Sequence, residues 1–173
     1  MTAPFCIEVL TPAHDRAGFS SGVEPLDRYF REQVSQDVRR RVTACYVAVE
    51  GATRRVVGYY TLAAGSIPLA EVPESLARRL PRYHAVPIAR LGRLAVHLDS
   101  RGRRLGAALL WDALLRAARS EVAVFALVVD AKDDHAAAFY RHHGFTAFGS
   151  LARQLVLPLT NLSRSPLIPS ASA

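Results

Sequence analysis

The stretch of the chain that most constrains its fold is residues 91–115, LGRLAVHLDSRGRRLGAALLWDALL, where an apolar strand leads into a turn rich in arginine and glycine and then into a helix. The first N–H groups of such a helix have no intrahelical acceptor, and the helix dipole favours negative charge there. Gly102 and Gly106 permit close approach of the backbone, and the neighbouring arginines suit phosphate. The sequence therefore predicts an anion site for a phosphate-bearing ligand.

The pattern of the turn narrows the choice of ligand. It contains neither the G-x-x-x-x-G-K-[ST] of a P-loop nor the G-x-G-x-x-G of a dinucleotide fold. It resembles the pyrophosphate loop R/Q-x-x-G-x-G/A of the GNAT N-acetyltransferases, with Arg101 first and Gly106 last, although Arg104 stands where the middle glycine is usual. The alternative interpretation of the turn alone is a basic helix N-terminus exposed to solvent.

A second motif strengthens the resemblance. Residues 122–130, VAVFALVVD, form an apolar run typical of a buried strand. The segment after it resembles the GNAT pattern N-x-x-A-x-x-x-Y-x-x-x-G-F, with an aspartate in the first place. The matching residues are Asp133, Ala136, Tyr140, Gly144 and Phe145. Between them, the two motifs extend the resemblance to the GNAT superfamily over residues 91–145.

The resemblance implies a fold, a cofactor and a set of contacts. The expected fold is α/β: a single GNAT domain over residues 1–160, with a mixed central sheet, splayed central strands and helices on both faces. Residues 161–173, rich in Ser, Pro and Ala, are predicted to be a disordered tail. The implied cosubstrate is acetyl-CoA, with no metal. The residues that the resemblance assigns to it are Leu94, Ala95, Val96, Arg101, Gly102, Arg103, Arg104, Leu105, Gly106 and Asp133.

Tyr140 is the predicted catalytic residue. A phenol is protonated at neutral pH, so it can donate a proton to a departing thiolate. The alternative is an aromatic side chain that only packs beside Phe139. No general base stands out; the candidates are His84, His97, His135, His142, His143, Glu24 and Glu32. A base is unnecessary if the acceptor amine has a low pKa.

Charge and composition point to a polyanionic partner. The 173 residues carry a formal net charge of +7 and an isoelectric point near 10.1, and nucleic acid is the leading candidate for a domain this basic. Arginines also cluster at residues 39–41 and 78–82, where a solvated face is the alternative. The sequence contains no membrane-length apolar run and no charged n-region, which predicts a cytoplasmic protein. Cys6 and Cys45 are expected to be free thiols.

Periodicity predicts most of the elements. Residues 21–24 are a possible capping box for an amphipathic helix over residues 25–36, which continues, with or without a break, into residues 37–41. Strands are predicted at residues 44–49 and 56–63, as an antiparallel hairpin, and at 88–97, 122–130 and 151–159. A short helix is expected at residues 74–80.

The N-terminal half carries a more specific resemblance. The segment FSSGVEPLDRYFREQVSQDVRRRVTACYVAV, together with RLGRLAVHLDSRGRRLG and RQLVLPL, is similar to the GNAT toxins of bacterial toxin–antitoxin pairs. That resemblance implies acetylation of the α-amine of aminoacyl-tRNA, which stops translation, and it implies a homodimer and a ribbon-helix-helix type antitoxin. The candidate tRNA contacts are Arg39, Arg40, Arg41 and Arg93. The alternatives are a GNAT enzyme for a small-molecule or protein amine, and a non-catalytic binding module.

Overall fold

The computed structural model of the protein describes residues 5–164. Its strands are β1 (Phe5–Val9), β2 (Ala44–Glu50), β3 (Val56–Pro68), β4 (Ala85–Val96), β5 (Ala126–Asp130), β6 (Thr146–Ala147) and β7 (Gln154–Pro158). Its α-helices are α1 (Glu24–Arg28), α2 (Val34–Arg39), α3 (Glu74–Ala77), α4 (Leu105–Ala118) and α5 (Asp134–His142). Within this range, no helix is long and apolar enough to cross a bilayer.

The strands form one mixed sheet, as predicted. Their order is β1-β2-β3-β4-β5-β7-β6. Strand β2 pairs antiparallel with both β1 and β3, which confirms the predicted hairpin. Strands β4 and β5 run parallel, and β7 pairs antiparallel with β5 and β6. Parallel β4 and β5 require a crossover connection, which α4 supplies.

The chain divides into two compact units, each with its own core. The first comprises Met1–Ala63 and Gly92–Ala113, and the second comprises Ala64–Leu91 and Leu114–Ala173. In the first unit, the fully buried rings of Phe30 and Tyr59 stack with their centroids 4.2 Å apart. Burying a side chain such as Phe30 stabilises a fold by about 1.5–3 kcal/mol. The core of the second unit is built largely from aliphatic residues on its strands: Ile67, Val86, Ile88, Ala126, Val128 and Val156.

The predicted capping box is wrong. Helix α1 begins at Glu24 after Val23, whose side chain makes no capping hydrogen bond. Ser21 instead donates its N–H and its hydroxyl to the buried carboxylate of Asp27, at 2.9 and 2.6 Å. The predicted helix over residues 25–36 is present, but one π-helical turn, Tyr29–Gln33, lies between α1 and α2. Such turns are rare in proteins, and those that occur often lie at functional sites.

Several strand boundaries differ from the sequence prediction. Strand β5 begins at Ala126 rather than at Val122, because Val122 is 75% exposed and pairing with β4 starts only at Ala126. Strand β7 likewise begins at Gln154, three residues after the exposed Leu151. Strands β1 and β6 were not predicted. The predicted helix at residues 74–80 shortens to α3. A 3-10 turn, Leu159–Arg164, follows β7, and residues 165–173 of the predicted tail lie outside the described residues.

Candidate active site

The arginine- and glycine-rich loop joins β4 to α4 in the first unit. A 3-10 turn, Leu98–Ser100, follows the strand, and α4 starts at the buried Leu105. The first helical bond at this end is donated by the Ala108 N–H to the Arg104 carbonyl, over 3.1 Å. The N–H groups of residues 105–107 therefore have no acceptor within the helix and remain available to an anion.

Two residues of the loop, Gly102 and Arg104, have positive φ angles. Gly102 has φ +75°, and Arg104 has φ +58°, a left-handed conformation that favours glycine. A Cβ at Gly102 would meet no atom within 4 Å, so this face of the loop is open. Holding Arg104 in this conformation costs about 1–2 kcal/mol. Because its guanidinium forms no ion pair or hydrogen bond with residues 5–164, the strain is not offset by a protein contact of that side chain.

This strain allows a test of Arg104 as a phosphate ligand. We expect Arg104→Gly to change the free energy of unfolding by less than about 1 kcal/mol, since the relief of φ strain offsets the greater entropy of the unfolded chain. We expect the Kd for acetyl-CoA to rise about tenfold, because a charge-assisted hydrogen bond is lost. Calorimetry measures both quantities. Arg54→Gly, at another exposed position with φ +58°, is the control and should leave the Kd unchanged. An unchanged Kd in Arg104→Gly would contradict the assignment.

The other two loop arginines contact the protein. The Arg101 guanidinium donates to the carbonyl of Ser21 at 2.5 Å. The Arg103 guanidinium lies 4.7 Å from the ring centroid of Phe5 and 3.9 Å from the carboxylate of Glu50. The loop carries three arginines. Because Arg101 and Arg103 contact the protein, the positive charge on Arg104 is the most available to a ligand.

Strand β4 offers backbone groups beside the loop. The His97 N–H donates to Val57 on β3 at 2.8 Å, and the Arg93 N–H donates to the Thr61 hydroxyl at 3.1 Å. Because polar groups alternate between the two sides of an antiparallel strand, those of Ala95 also face β3. Of the three residues predicted to bind the pantetheine arm, Leu94 and Val96 present their N–H and C=O groups to the other side.

That other side of β4 is paired for only part of its length. The register with β5 runs from Ile88↔Ala126 to Leu91↔Val129, whereas β4 continues to Val96. The segment that carries Leu94 and Val96 thus extends past the last residue paired with β5. An extended ligand can add to a strand edge of this kind.

Tyr140 lies on α5, in the second unit. Asp133 is the N-cap of this helix, and its carboxylate accepts the Ala136 N–H at 2.8 Å and pairs with Lys132. Asp133 thus has a structural role here, and its contact with acetyl-CoA stays a prediction. The Tyr140 ring is buried against Phe139 and Phe145, with centroids 5.2 and 5.5 Å away.

The Tyr140 hydroxyl is kept protonated. It makes no hydrogen bond to any group in the described part of the chain. Burial raises the pKa of the phenol above its ordinary value, because the charged phenolate would be poorly solvated. The side chain is therefore neutral at physiological pH.

None of the candidate bases is set up for that role. The His97 ring is engaged on both sides, since its Nδ1 accepts the Asp99 N–H at 3.1 Å and its Nε2 lies 3.4 Å from the Gly18 carbonyl. Glu24 and Glu32 pair with Arg31 and Arg28 on the helix surface. Burial lowers the pKa of His143, which packs edge-on against Phe139. The remaining candidates, His84, His135 and His142, are exposed.

The predicted tRNA contacts lie around the end of α2. Arg39, Arg40 and Arg41 are exposed, and their side chains form no ion pair within residues 5–164. The Val42 and Arg41 N–H groups close a Schellman motif on Asp37 and Val38, which places Arg41 at the left-handed position with φ +61°. A non-glycine residue there is strained, as Arg104 is in the loop.

Arg93 contacts the helical segment that precedes this cluster, through a residue with no predicted role, Tyr29. Its guanidinium lies 3.4 Å from the ring centroid of Tyr29, a cation–π contact. The Tyr29 hydroxyl in turn donates to Asp37 at 2.9 Å. The pairing of Arg93 with Tyr29 depends on packing between distant segments, so no local motif could have revealed it.

Comparison with known proteins identifies the family of this chain. The family model described as an acetyltransferase (GNAT) domain matches residues 41–147, which is more than half of the chain. The chain belongs to the GNAT acetyltransferase family. As a GNAT enzyme it uses acetyl-CoA, and the open loop at Gly102, the available N–H groups of α4 and the unpaired guanidinium of Arg104 fit the phosphates of that cosubstrate. Within residues 5–164 no cluster of metal-ligating side chains is present.

Individual relatives of this GNAT protein have names that state a narrower function than the family does. A "tRNA-acetylating toxin" of Mycobacterium tuberculosis is 38% identical over 138 residues, covering 79% of this chain and 81% of its own. The "Probable toxin TacT" of Sinorhizobium fredii is 27% identical, covering 90% of this chain and 92% of its own. The solved structure of AtaT complexed with acetyl-methionyl-tRNAfMet superposes with a TM-score of 0.85 at 28% identity, over 92% of this chain and 98% of that one. AtaTR bound with AcCoA superposes with a TM-score of 0.81 at 25% identity, over 94% and 98%.

Proposed function

We propose that this protein is a toxin that transfers the acetyl group of acetyl-CoA to the α-amine of aminoacyl-tRNA and thereby blocks translation. The observation that carries this proposal is the 38% identity to a tRNA-acetylating toxin over most of both chains. The similarity in fold to AtaT in complex with an acetylated aminoacyl-tRNA supports it. The resemblance of the N-terminal segment to the toxin group, noted from the sequence, agrees with both.

The charge distribution supports a tRNA acceptor. A net charge of +7 exceeds what the phosphates of acetyl-CoA require, and the three arginines at residues 39–41 have no acidic partner within the described residues. Arginines that are exposed and unpaired attract phosphates along an RNA backbone, with release of counterions. We assign Arg39, Arg40, Arg41 and Arg93 to the tRNA surface.

The proposed chemistry uses few protein groups. Bound acetyl-CoA supplies the acetyl group as an activated thioester. The backbone N–H groups of Leu94 and Val96 face away from β3, where they can hold the cosubstrate or a developing oxyanion. The amine nitrogen bonds to the acetyl carbon as the C–S bond breaks, and Tyr140, in our proposal, donates its hydroxyl proton to the departing sulfur. The proton that the amine loses passes to water, and the Tyr140 phenolate takes up a proton from water again. An α-amine has a pKa of about 8 or below, so a useful fraction is neutral without a general base.

This scheme predicts the dependence of the rate on pH. We expect the single-turnover rate to rise with pH along one limb, with an apparent pKa of about 7 to 8 from the acceptor amine. We expect no falling limb below a pH of about 10, because burial raises the pKa of the Tyr140 phenol and keeps it protonated. Quench-flow over milliseconds limits hydrolysis of the aminoacyl ester. A falling limb with an apparent pKa near 9 would argue against Tyr140 as the acid.

The partners and compartment follow from the proposed function. We propose that the protein acts in the cytoplasm, where charged tRNA is found, that it forms a homodimer, and that an antitoxin of the ribbon-helix-helix type neutralises it. A basic surface with unpaired arginines suits an acidic or amphipathic antitoxin segment as well as RNA. Co-expression with a candidate antitoxin of the ribbon-helix-helix type, followed by light scattering of the purified complex, tests the oligomeric state and the antitoxin together.

The decisive experiment for the activity is direct. The purified protein is incubated with labelled acetyl-CoA and a total pool of charged tRNA, and the digested RNA is analysed by mass spectrometry for N-acetyl-aminoacyl-adenosine. We expect label on one or a few aminoacyl-adenosines. Transfer to free amines or protein N-termini instead would establish the alternative acceptor class, and absence of acetyl-CoA binding would overturn the enzymatic assignment.

A further inference from the structure

The loop between β4 and α4 (residues 98–104, the acetyl-CoA loop) is hydrogen-bonded to a distant segment of the same unit, residues 18–22. The Leu98 N–H donates to the Ser20 carbonyl at 2.9 Å, and His97 Nε2 lies 3.4 Å from the Gly18 carbonyl. The shortest of these contacts is the 2.5 Å hydrogen bond from the Arg101 guanidinium to the Ser21 carbonyl. Residues about eighty positions apart in sequence are thus joined directly at the start of the loop.

Gly22 packs closely against this contact. Its φ is +85°, a backbone conformation that residues with a side chain rarely adopt. A Cβ added at this position would lie 3.1 Å from Leu98 Cδ2 and 3.3 Å from Arg101 Nη2. A side chain at position 22 would therefore strain the backbone and press on the Arg101 guanidinium. The position thus favours glycine both for backbone conformation and for close approach.

Ser21 passes the contact on to helix α1. Both Ser21 and Asp27 are buried, at 3% and 2% exposure, and the Asp27 carboxylate accepts the Ser21 N–H and hydroxyl. Asp27 lies within α1, and the next part of the same helical segment carries the arginines at residues 39–41. Hydrogen bonds thus connect the Arg101 guanidinium, through Ser21, to the helical segment at whose end the proposed tRNA contacts lie.

We propose that Arg101 is a positioning residue, whose guanidinium couples occupancy of the acetyl-CoA loop to the placement of α1 through the Ser21 carbonyl. The motif assigns Arg101 to the pyrophosphate, yet the structure directs its side chain to Ser21, while Arg104 in the same loop has no protein partner among the described residues. This inference rests on the proposed function in one respect: the α1–α2 segment has to contact the acceptor.

Kinetics separate a positioning role from a phosphate-binding role. For Arg101→Gln we expect the Kd for acetyl-CoA to change less than about threefold, while kcat/KM for aminoacyl-tRNA falls at least about tenfold. Arg103→Gln is the matched variant, because it removes the same charge from the same loop without touching Ser21. It should weaken acetyl-CoA binding and leave the KM for aminoacyl-tRNA near the wild-type value. Identical effects of the two variants would overturn the proposal.

Conservative and steric variants extend the test. Arg101→Lys keeps the positive charge but not the guanidinium. Under our proposal its kcat/KM for aminoacyl-tRNA stays as low as that of Arg101→Gln. A wild-type value would show that charge alone matters and would overturn the proposal. Gly22→Ala is expected to reproduce the phenotype of Arg101→Gln, provided that its circular dichroism spectrum and melting curve show a folded protein. If Gly22→Ala does not fold, the decision rests on the Arg101 variants.

A readout without tRNA keeps this inference distinct from the proposed function. In the wild-type protein, acetyl-CoA is expected to slow hydrogen exchange at least about threefold both in residues 98–108 and in residues 18–28. In Arg101→Gln the protection of residues 98–108 should persist and that of residues 18–28 should disappear. Protection of both segments in the variant would refute the coupling, even if the natural acceptor proved to be something other than tRNA.

Discussion

Tyr140→Phe is expected to lower the rate constant of acetyl transfer by about 100-fold or more, with the Kd for acetyl-CoA unchanged. The substitution removes the hydroxyl that, in our proposal, protonates the departing sulfur. It leaves the ring that packs against Phe139 and Phe145. Because the hydroxyl has no hydrogen-bond partner among residues 5–164, folding should not suffer. Single-turnover kinetics with aminoacyl-tRNA, read by mass spectrometry, measure the effect.

Tyr83→Phe is the matched control for this variant. Tyr83 is 69% exposed, lies on the loop before β4, and belongs to none of the proposed sites. The same chemical change there should leave the rate within about twofold of wild type. Wild-type activity in Tyr140→Phe would show that Tyr140 has only a packing role, which was the alternative interpretation of its sequence motif.

Replacement of Arg39, Arg40 and Arg41 together by glutamine is expected to weaken tRNA binding about 100-fold at physiological salt. Each arginine that contacts a phosphate releases a counterion, so the slope of log K against log salt should also fall by about 2 to 3. The Kd for acetyl-CoA should stay unchanged, since these residues are remote in sequence from the loop. Fluorescence anisotropy with labelled tRNA over a salt series measures the binding.

A second triple variant tests whether position matters or only net charge. Arg78, Arg79 and Arg82 form another exposed arginine cluster, of which Arg78 pairs with Glu74. Their replacement by glutamine removes the same formal charge and should change the Kd for tRNA less than about threefold. If both triple variants weaken binding equally, the protein attracts tRNA through its overall charge, and the assignment of residues 39–41 is wrong.

Local sequence predicted the presence of the loop and of helix α5 more closely than it predicted the limits of the elements. The loop and the α5 motif have fixed spacings, and glycine, arginine and tyrosine at those spacings have specific physical uses, so Arg104 and Tyr140 could be singled out in advance. The prediction of a capping box at residues 21–24 was wrong, because the Ser21 hydroxyl donates to the buried carboxylate of Asp27 instead. A tertiary contact of that kind leaves no periodic signal.

The same distinction separates what each level of description determined. The sequence alone determined the order of the central strands and helices, the arginine- and glycine-rich loop between β4 and α4, the helix that carries Tyr140 and the excess of positive charge. These depend on local propensity, spacing and composition. Only the tertiary structure decided that Arg101 bonds to Ser21 while Arg104 stays unpaired, that Arg93 stacks on Tyr29, and that β4 extends past its pairing with β5. Those features depend on which distant segments pack together, and packing is a property of the folded chain rather than of any one stretch of it.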